Sequence, residues 1–242
     1  MKNLPRAILF DMDDTILAVS GSARTVWKKI AEEFAAALAP LSPTDVVTAI
    51  DAQSQLLWAD PVWNLEWRAR VGEAGRHIVA GAFTELAAAG KVLRGAELGE
   101  MMVDRFTLIR DNELSVFPGA HETLDRLKQL GVRLALVTNG AAEPQRAKVV
   151  RFALEGRFDH IQIEGEHGFG KPEERAYTHA MAALGVAPQE TWMVGDNLEW
   201  EIVAPQRLGI YAIWCDGYAA GLPPGCPIQP DRIIQSLPEL LS

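Results

Sequence analysis

Apolar positions along this chain fall into two regimes. Ala7-Ile8-Leu9-Phe10 is a short, unbroken apolar run that ends on the polar stretch Asp11-Met12-Asp13-Asp14-Thr15. A run of that length with polar neighbours predicts a buried parallel strand. From about Ser20 to Asn112 the apolar spacing turns helical and strand signals nearly vanish. Segments near 22–39, 44–59, 62–71, 75–89 and 95–111 are rich in Ala, Leu, Glu and Arg, residues that favour helix. Pro40, Pro43, Pro61, Gly72, Gly90 and Gly95 punctuate them. Beyond Phe117-Pro118-Gly119 strands and helices alternate again. Strands are predicted over 133–137, 161–163, 192–194, 210–214 and 232–234. Helices are predicted over 120–130, 143–152, 173–184 and 198–208, with a helical turn over 237–241.

Repeated strand–helix units imply a parallel sheet covered on both faces. The helical stretch interrupts that sheet after its first strand. The pattern therefore predicts an α/β core from residues 1–18 and 113–242, with an all-helical domain of residues 19–112 inserted into it. Hinges are expected near Val19-Ser20-Gly21 and Ser115 to Gly119.

Composition narrows the function. The chain has 242 residues, of which 48% are hydrophobic and 23% charged, enough to build a sizeable core. Its formal net charge of −9 argues against binding a nucleic-acid polymer, which needs a basic footprint. A small phosphorylated metabolite needs only a locally positive pocket and stays compatible. Cys215 and Cys226 make neither a disulfide framework nor a metal-ligand pair. No secretory signal or membrane-spanning run is visible. The expectation is a cytoplasmic protein without membrane contact, a monomer or homodimer.

In an open α/β sheet, ligands bind outside the carboxyl ends of the strands. Asp11-Met12-Asp13-Asp14-Thr15 follows the first predicted strand, Thr138-Asn139-Gly140 the second and Gly195-Asp196-Asn197 the fourth. Lys171-Pro172 precedes the helix after the third. Such a set suits phosphoryl transfer, where a carboxylate must approach a dianion. Two unit charges about 4 Å apart interact by about 4 kcal/mol at an effective dielectric of 20, so the repulsion needs offsetting. Asp11 and Asp196 offer the hard oxygens that Mg²⁺ prefers, and Lys171 offers fixed positive charge. Thr138 offers a hydroxyl and Asn139 a backbone N–H. Asp13, two residues past Asp11, is placed to give and take a proton.

Asp11-x-Asp13-x-Thr15, Thr138, Lys171-Pro172 and Gly195-Asp196, in this order, resemble the four motifs of the haloacid dehalogenase-like superfamily, and the helical insertion resembles its type 1 cap. The resemblance covers nearly the whole chain and implies a Rossmann-like core and a magnesium-dependent phosphatase. It makes Asp11 the nucleophile and a metal ligand. Asp13 becomes the general acid and base, with its backbone carbonyl on the metal. Thr138, Asn139 and Lys171 hold the phosphoryl group, and Lys171 also restrains the nucleophile. Asp196 completes the metal ligands, with Asn197 and Glu201 standing behind it. Relatives often carry Asp where this chain has Glu201, which implies altered geometry around the metal ligands rather than lost metal binding. Glu174 stands where relatives commonly have a second proline.

Three alternatives remain at this level. A dehalogenase shares the fold but lacks an acid at the position of Asp13. A phosphomutase of the superfamily fits the motifs, and so does a catalytically idle binding member, although Asp11, Asp13 and Lys171 are intact. Substrate choice is expected to lie in the cap, where Trp58, Trp63 and Trp67, with Arg68 and Arg70, are the candidate contacts beside ordinary helix packing. Val194-Gly195-Asp196-Asn197-Leu198-Glu199 resembles nucleotidases and acylneuraminate phosphatases. Asp14 reads as a loop acid. His77, His121, His160, His167 and His179 show no pair at ligand spacing, and none is assigned to a metal.

Overall fold

A computed structural model of the chain describes residues 4–67, 70–91 and 95–242. The contacts divide it into two compact units, one of residues 1–18 and 115–242, the other of 19–114.

The first unit is built on a six-stranded parallel sheet. Its strands are β1 (Ala7–Phe10), β4 (Arg133–Thr138), β5 (His160–Ile163), β6 (Thr191–Gly195), β7 (Tyr211–Cys215) and β8 (Arg232–Ile234), in the order β5-β4-β1-β6-β7-β8. The chain winds outward from β1 to β4 and β5, then returns to the other side of β1. Register aligns Leu9 with Ala135 on one side and with Met193 on the other. Asp11, Asn139 and Asp196 therefore leave three adjacent strands at the same edge. A two-stranded ribbon, β2 (Leu17–Ala18) with β3 (Ser115–Val116), closes the ends of the unit.

Helices α7 (Ala120–Gln129), α8 (Ala142–Arg151), α9 (Glu164–His167), α10 (Glu174–Leu184) and α11 (Ala204–Arg207) complete this unit. All four side chains of β1 are fully buried. Ala7 and Leu9 pack with Ala135, Val137 and Met193 against Tyr177, Ala180, Met181 and Leu184 of α10. Phe10, on the opposite face, meets Phe158 edge-on. Apolar residues on both faces are what a strand sandwiched between helices requires.

The second unit contains α1 (Ser20–Glu33), α2 (Ala35–Leu38), α3 (Pro43–Trp58), α4 (Pro61–Trp67), α5 (Val71–Ala88) and α6 (Gly95–Glu113). Its core follows helical spacing: Val26, Trp27 and Ile30; Val46, Val47 and Ile50; Ile78, Val79, Ala82, Phe83 and Leu86; Leu98, Met102 and Val103. Trp27 stacks on Phe106 with ring centroids 4.2 Å apart. Ser42 and Asp45 form a reciprocal capping box at the start of α3, with Pro43 in the first turn.

The structure departs from the sequence pattern in several places. Helix α5 starts at Val71 and runs through Gly72 and Gly75, because its buried stripe outweighs a helix penalty of about 1 kcal/mol per glycine. The predicted helix over 198–208 is a π-helix, Leu198–Val203, followed by α11; Pro205 has no N–H to continue an α-helical ladder. Ser20 and Gly21, expected in a hinge, lie in the first turn of α1, and Ser115–Val116 is a strand of the ribbon. The ribbon and α9 were too short to register as periodic signals.

Truncating the fully buried Leu9 leaves a cavity between the sheet and α10. Leu9→Ala should lower unfolding free energy by about 2–5 kcal/mol, read from urea denaturation; a loss below about 1 kcal/mol would contradict the packing described.

Candidate active site

Lys171 is the centre of the site. Its side chain is almost completely buried, and its Nζ lies 2.5 Å from Asp11 Oδ1 and 2.7 Å from Glu201 Oε1. Burial alone would lower the lysine's pKa, but Asp11 and then Glu201 outweigh it and hold the ammonium well above its ordinary value. The carboxylates move the other way. Burial raises Asp11 despite the pull of Lys171. Burial likewise pushes Glu201 up to about 7. Asp196 is raised well above the usual carboxylate range by burial, then by Glu201, Asp11 and Asp14. Three carboxylates thus share one buried ammonium, and the residual negative charge has no protein counterion in this group.

Local structure explains why Glu201 reaches the site. Asn197 caps the π-helix by accepting from the N–H groups of Glu199 and Trp200. Glu201 Oε2 accepts from the Asn197 N–H at 2.7 Å, leaving Oε1 for Lys171. The glutamate folds back over Gly195, where an added Cβ would stand 2.0 Å from Glu201 Cγ. Glycine before Asp196 is thereby required by close packing. The longer acid at 201 reaches Lys171 directly while still bracing Asn197.

The loop after β4 is tied to Lys171 through its backbone. Asn139 Nδ2 donates to the Lys171 carbonyl at 2.6 Å, and the Lys171 N–H donates to Asn139 Oδ1 at 2.8 Å. Gly140, at φ +121°, donates its N–H to Glu164 Oε2 of α9. The sequence assigned Asn139 only a backbone N–H; its side chain is what holds the two loops in register.

Two site residues on α8 escaped the sequence reading. Buried Gln145 directs its amide at Thr138 Oγ1 (2.8 Å), the Asn139 carbonyl (2.7 Å) and Asp13 Oδ2 (3.1 Å). Lys148 pairs with the same Asp13 oxygen at 2.7 Å. The other oxygen, Oδ1, is buried without a hydrogen-bond partner. The i,i+3 spacing of Gln145 and Lys148, just past Thr138-Asn139-Gly140, was the available signal. Asp14 takes a left-handed backbone (φ 60°) and accepts from Tyr218 Oη, as a loop acid does.

A hard divalent cation fits this chemistry. The available donors are oxygens, two of the acids (Asp11 and Asp196) flank the strand ends, and negative charge exceeds positive. Mg²⁺ commonly takes one or two carboxylates and keeps several waters.

The aromatic group expected to select substrate packs on itself. Trp63 stacks on Trp67 at 4.9 Å, and His77 stands edge-on to both. Arg70 lies 4.4 Å over the Trp67 ring and pairs with Glu66 and Glu73. Trp58 joins the helical core. Arg68 lies outside the described residues.

Comparison with known proteins is consistent with the strand-end motifs. A phosphoserine phosphatase of Thermus thermophilus is 38% identical over 126 residues, 52% of this chain and 49% of the relative. A glyceraldehyde 3-phosphate phosphatase of Pyrococcus furiosus is 33% identical over 138 residues, 57% of this chain and 55% of the relative. The chain thus matches about half the length of these curated relatives. A magnesium-bound HAD-hydrolase, YfnB of Bacillus subtilis, shares the fold with a TM-score of 0.71 at 24% identity, over 98% of this chain and 97% of the other. The family model for haloacid dehalogenase-like hydrolases matches residues 5–209, and the chain belongs to that family.

Proposed function

We propose that this protein is a Mg²⁺-dependent phosphatase that hydrolyses a small phosphate monoester through an aspartyl-phosphate on Asp11. The carrying observation is the grip of Lys171 on one oxygen of Asp11, with Asp13 two residues away. Phosphatase relatives support the reaction class.

Lys171 engages Asp11 Oδ1, which leaves Oδ2 as the attacking atom. That oxygen forms a bond to phosphorus as the bond to the leaving oxygen breaks. Asp13 supplies the proton to the leaving group, and its unpartnered Oδ1 is the oxygen for this transfer. In the second half-reaction Asp13 takes a proton from water, the water oxygen attacks phosphorus, and the bond to Asp11 breaks. Thr138 Oγ, the Asn139 N–H and Lys171 hold the phosphoryl oxygens. Gln145 approaches the threonine hydroxyl and orients it. Asp11, Asp196 and the Asp13 carbonyl would hold Mg²⁺, which would supply positive charge against the phosphoryl dianion. Asn197 and Glu201 position these groups from behind. The helical unit is assigned the role of the family's cap.

A reducing, cytoplasmic setting accords with two free cysteines, of which Cys215 is buried and its thiol pushed up to about 12 by burial. Among the described residues, no helix is long and apolar enough to cross a membrane.

Phosphate release from a panel of monoesters, headed by phosphoserine and glyceraldehyde 3-phosphate, should require Mg²⁺ and vanish in Asp11→Asn. A folded, Mg²⁺-binding protein that releases phosphate from no monoester would overturn the reading. Lys148→Ala should lower kcat roughly ten- to hundredfold, part of what general acid–base catalysis contributes, with KM little changed; an unaltered kcat would remove Lys148 from the positioning of Asp13. Mg²⁺ competes with protons for Asp11 and Asp196, whose carboxyls burial raises above the ordinary range. Affinity should therefore rise with pH, up to roughly tenfold per unit for each proton displaced. Calorimetric titrations at pH 6 and pH 8 that gave equal affinities would refute this coupling.

A further inference from the structure

His160, His167 and His179 are far apart in sequence, but the fold brings them together beside the edge strand. His160 opens β5, His167 closes α9 and His179 lies in α10. Their ring centroids are 5.3–6.1 Å apart. One nitrogen from each lies within 4.8 Å of the other two.

Hydrogen bonding fixes which nitrogens are free. His167 Nδ1 lies 3.1 Å from the Ile163 carbonyl, an acceptor only, so Nδ1 carries the proton. Gln162 is buried and donates its amide to the Ala176 carbonyl, which fixes its Oε1 as the atom 2.8 Å from His179 Nδ1. His179 Nδ1 is therefore also a donor. In both rings Nε2 keeps its lone pair. His160 Nε2 is itself buried without a hydrogen-bond partner. Imidazoles that donate one N–H to a carbonyl oxygen and keep a lone pair on the other nitrogen have the pattern that orients metal-bound histidines, and one nitrogen of each of these rings lies near the other two. All-imidazole donors suit Zn²⁺, Cu²⁺ and Ni²⁺, in contrast to the oxygen donors around Asp11.

We propose that His160, His167 and His179 form a transition-metal site, with Zn²⁺ as its natural occupant, separate from the carboxylate site and with water as the fourth ligand. Zn–N bonds of about 2.0–2.1 Å place tetrahedral nitrogens about 3.4 Å apart. The nitrogens, within 4.8 Å of one another, need to close by up to about 1.4 Å, within reach of side-chain rotation. A bound ion would tie β5, α9 and α10 together. His167 precedes Lys171 by only Gly168-Phe169-Gly170, and Phe169 packs edge-on against both His167 and His179. The site thus braces the segment that delivers the lysine.

The test is calorimetric titration of the untagged, full-length chain with Zn²⁺ under saturating Mg²⁺. The wild type should bind about one equivalent, and His167→Ala and His179→Ala should each weaken binding at least tenfold, with Mg²⁺ binding retained. Zn²⁺ should also raise the wild-type melting temperature and leave that of the variants unchanged. Should the variants fail to fold, electron paramagnetic resonance of Cu²⁺ added to the wild type decides. Hyperfine structure from two or more imidazole nitrogens supports the site; an oxygen-only signal, absence of Zn²⁺ binding by the wild type, or unchanged binding by folded variants overturns it.

Discussion

The site depends on one buried ammonium held between two carboxylates. Lys171 cannot leave its place without stranding Asp11 and Glu201 in the interior, and breaking such a pair from one side costs about 3–5 kcal/mol. The same contact organises the surrounding chain. Glu201 reaches Lys171 because the π-helix turns it back over Gly195, and it spends its second oxygen on the Asn197 N–H. Asn139 clamps the Lys171 backbone from the neighbouring strand end. The ends of β1, β4 and β6 and the loop before α10 are thus locked by contacts that converge on one residue, through its ammonium and its backbone.

That arrangement leaves the site with an electrostatic debt that is useful to it. Three acids and one lysine, removed from water, keep Asp11, Asp196 and Glu201 above their ordinary pKa values. In the proposed reaction a cation would relieve the excess, and an arriving phosphoryl group would meet Lys171, Thr138 and the Asn139 N–H. Asp13 is managed separately. Gln145 and Lys148 hold one of its oxygens and leave the other unpartnered. Two aspartates two residues apart thereby receive different surroundings, which is how chemically alike groups are given different tasks.

The scaffold that makes this possible is the central position of β1. Both of its neighbours are parallel and in register, so its carboxyl end lies between those of β4 and β6. The three imidazoles, on the edge strand β5 and on α9 and α10, gather beside that strand, and His167 sits on the segment leading into Lys171. A nitrogen site and an oxygen site in one unit would select different metals by donor type alone.

The sequence by itself determined the strand order of events: a buried strand, a helical insertion, then alternating strands and helices. It also determined the polar residues Asp11, Asp13, Thr138, Asn139, Lys171 and Asp196 at strand ends and helix starts. These were legible because apolar runs and helical periodicity are local, and because strand ends in a parallel sheet share one edge. The tertiary structure alone decided that Glu201 grips Lys171, that the Asn139 side chain locks two loops, and that Gln145 and Lys148 hold Asp13. It alone decided the π-helix and the gathering of His160, His167 and His179. Each of these joins residues by distance in space rather than by spacing along the chain, and only packing of the helices on the sheet fixes those distances.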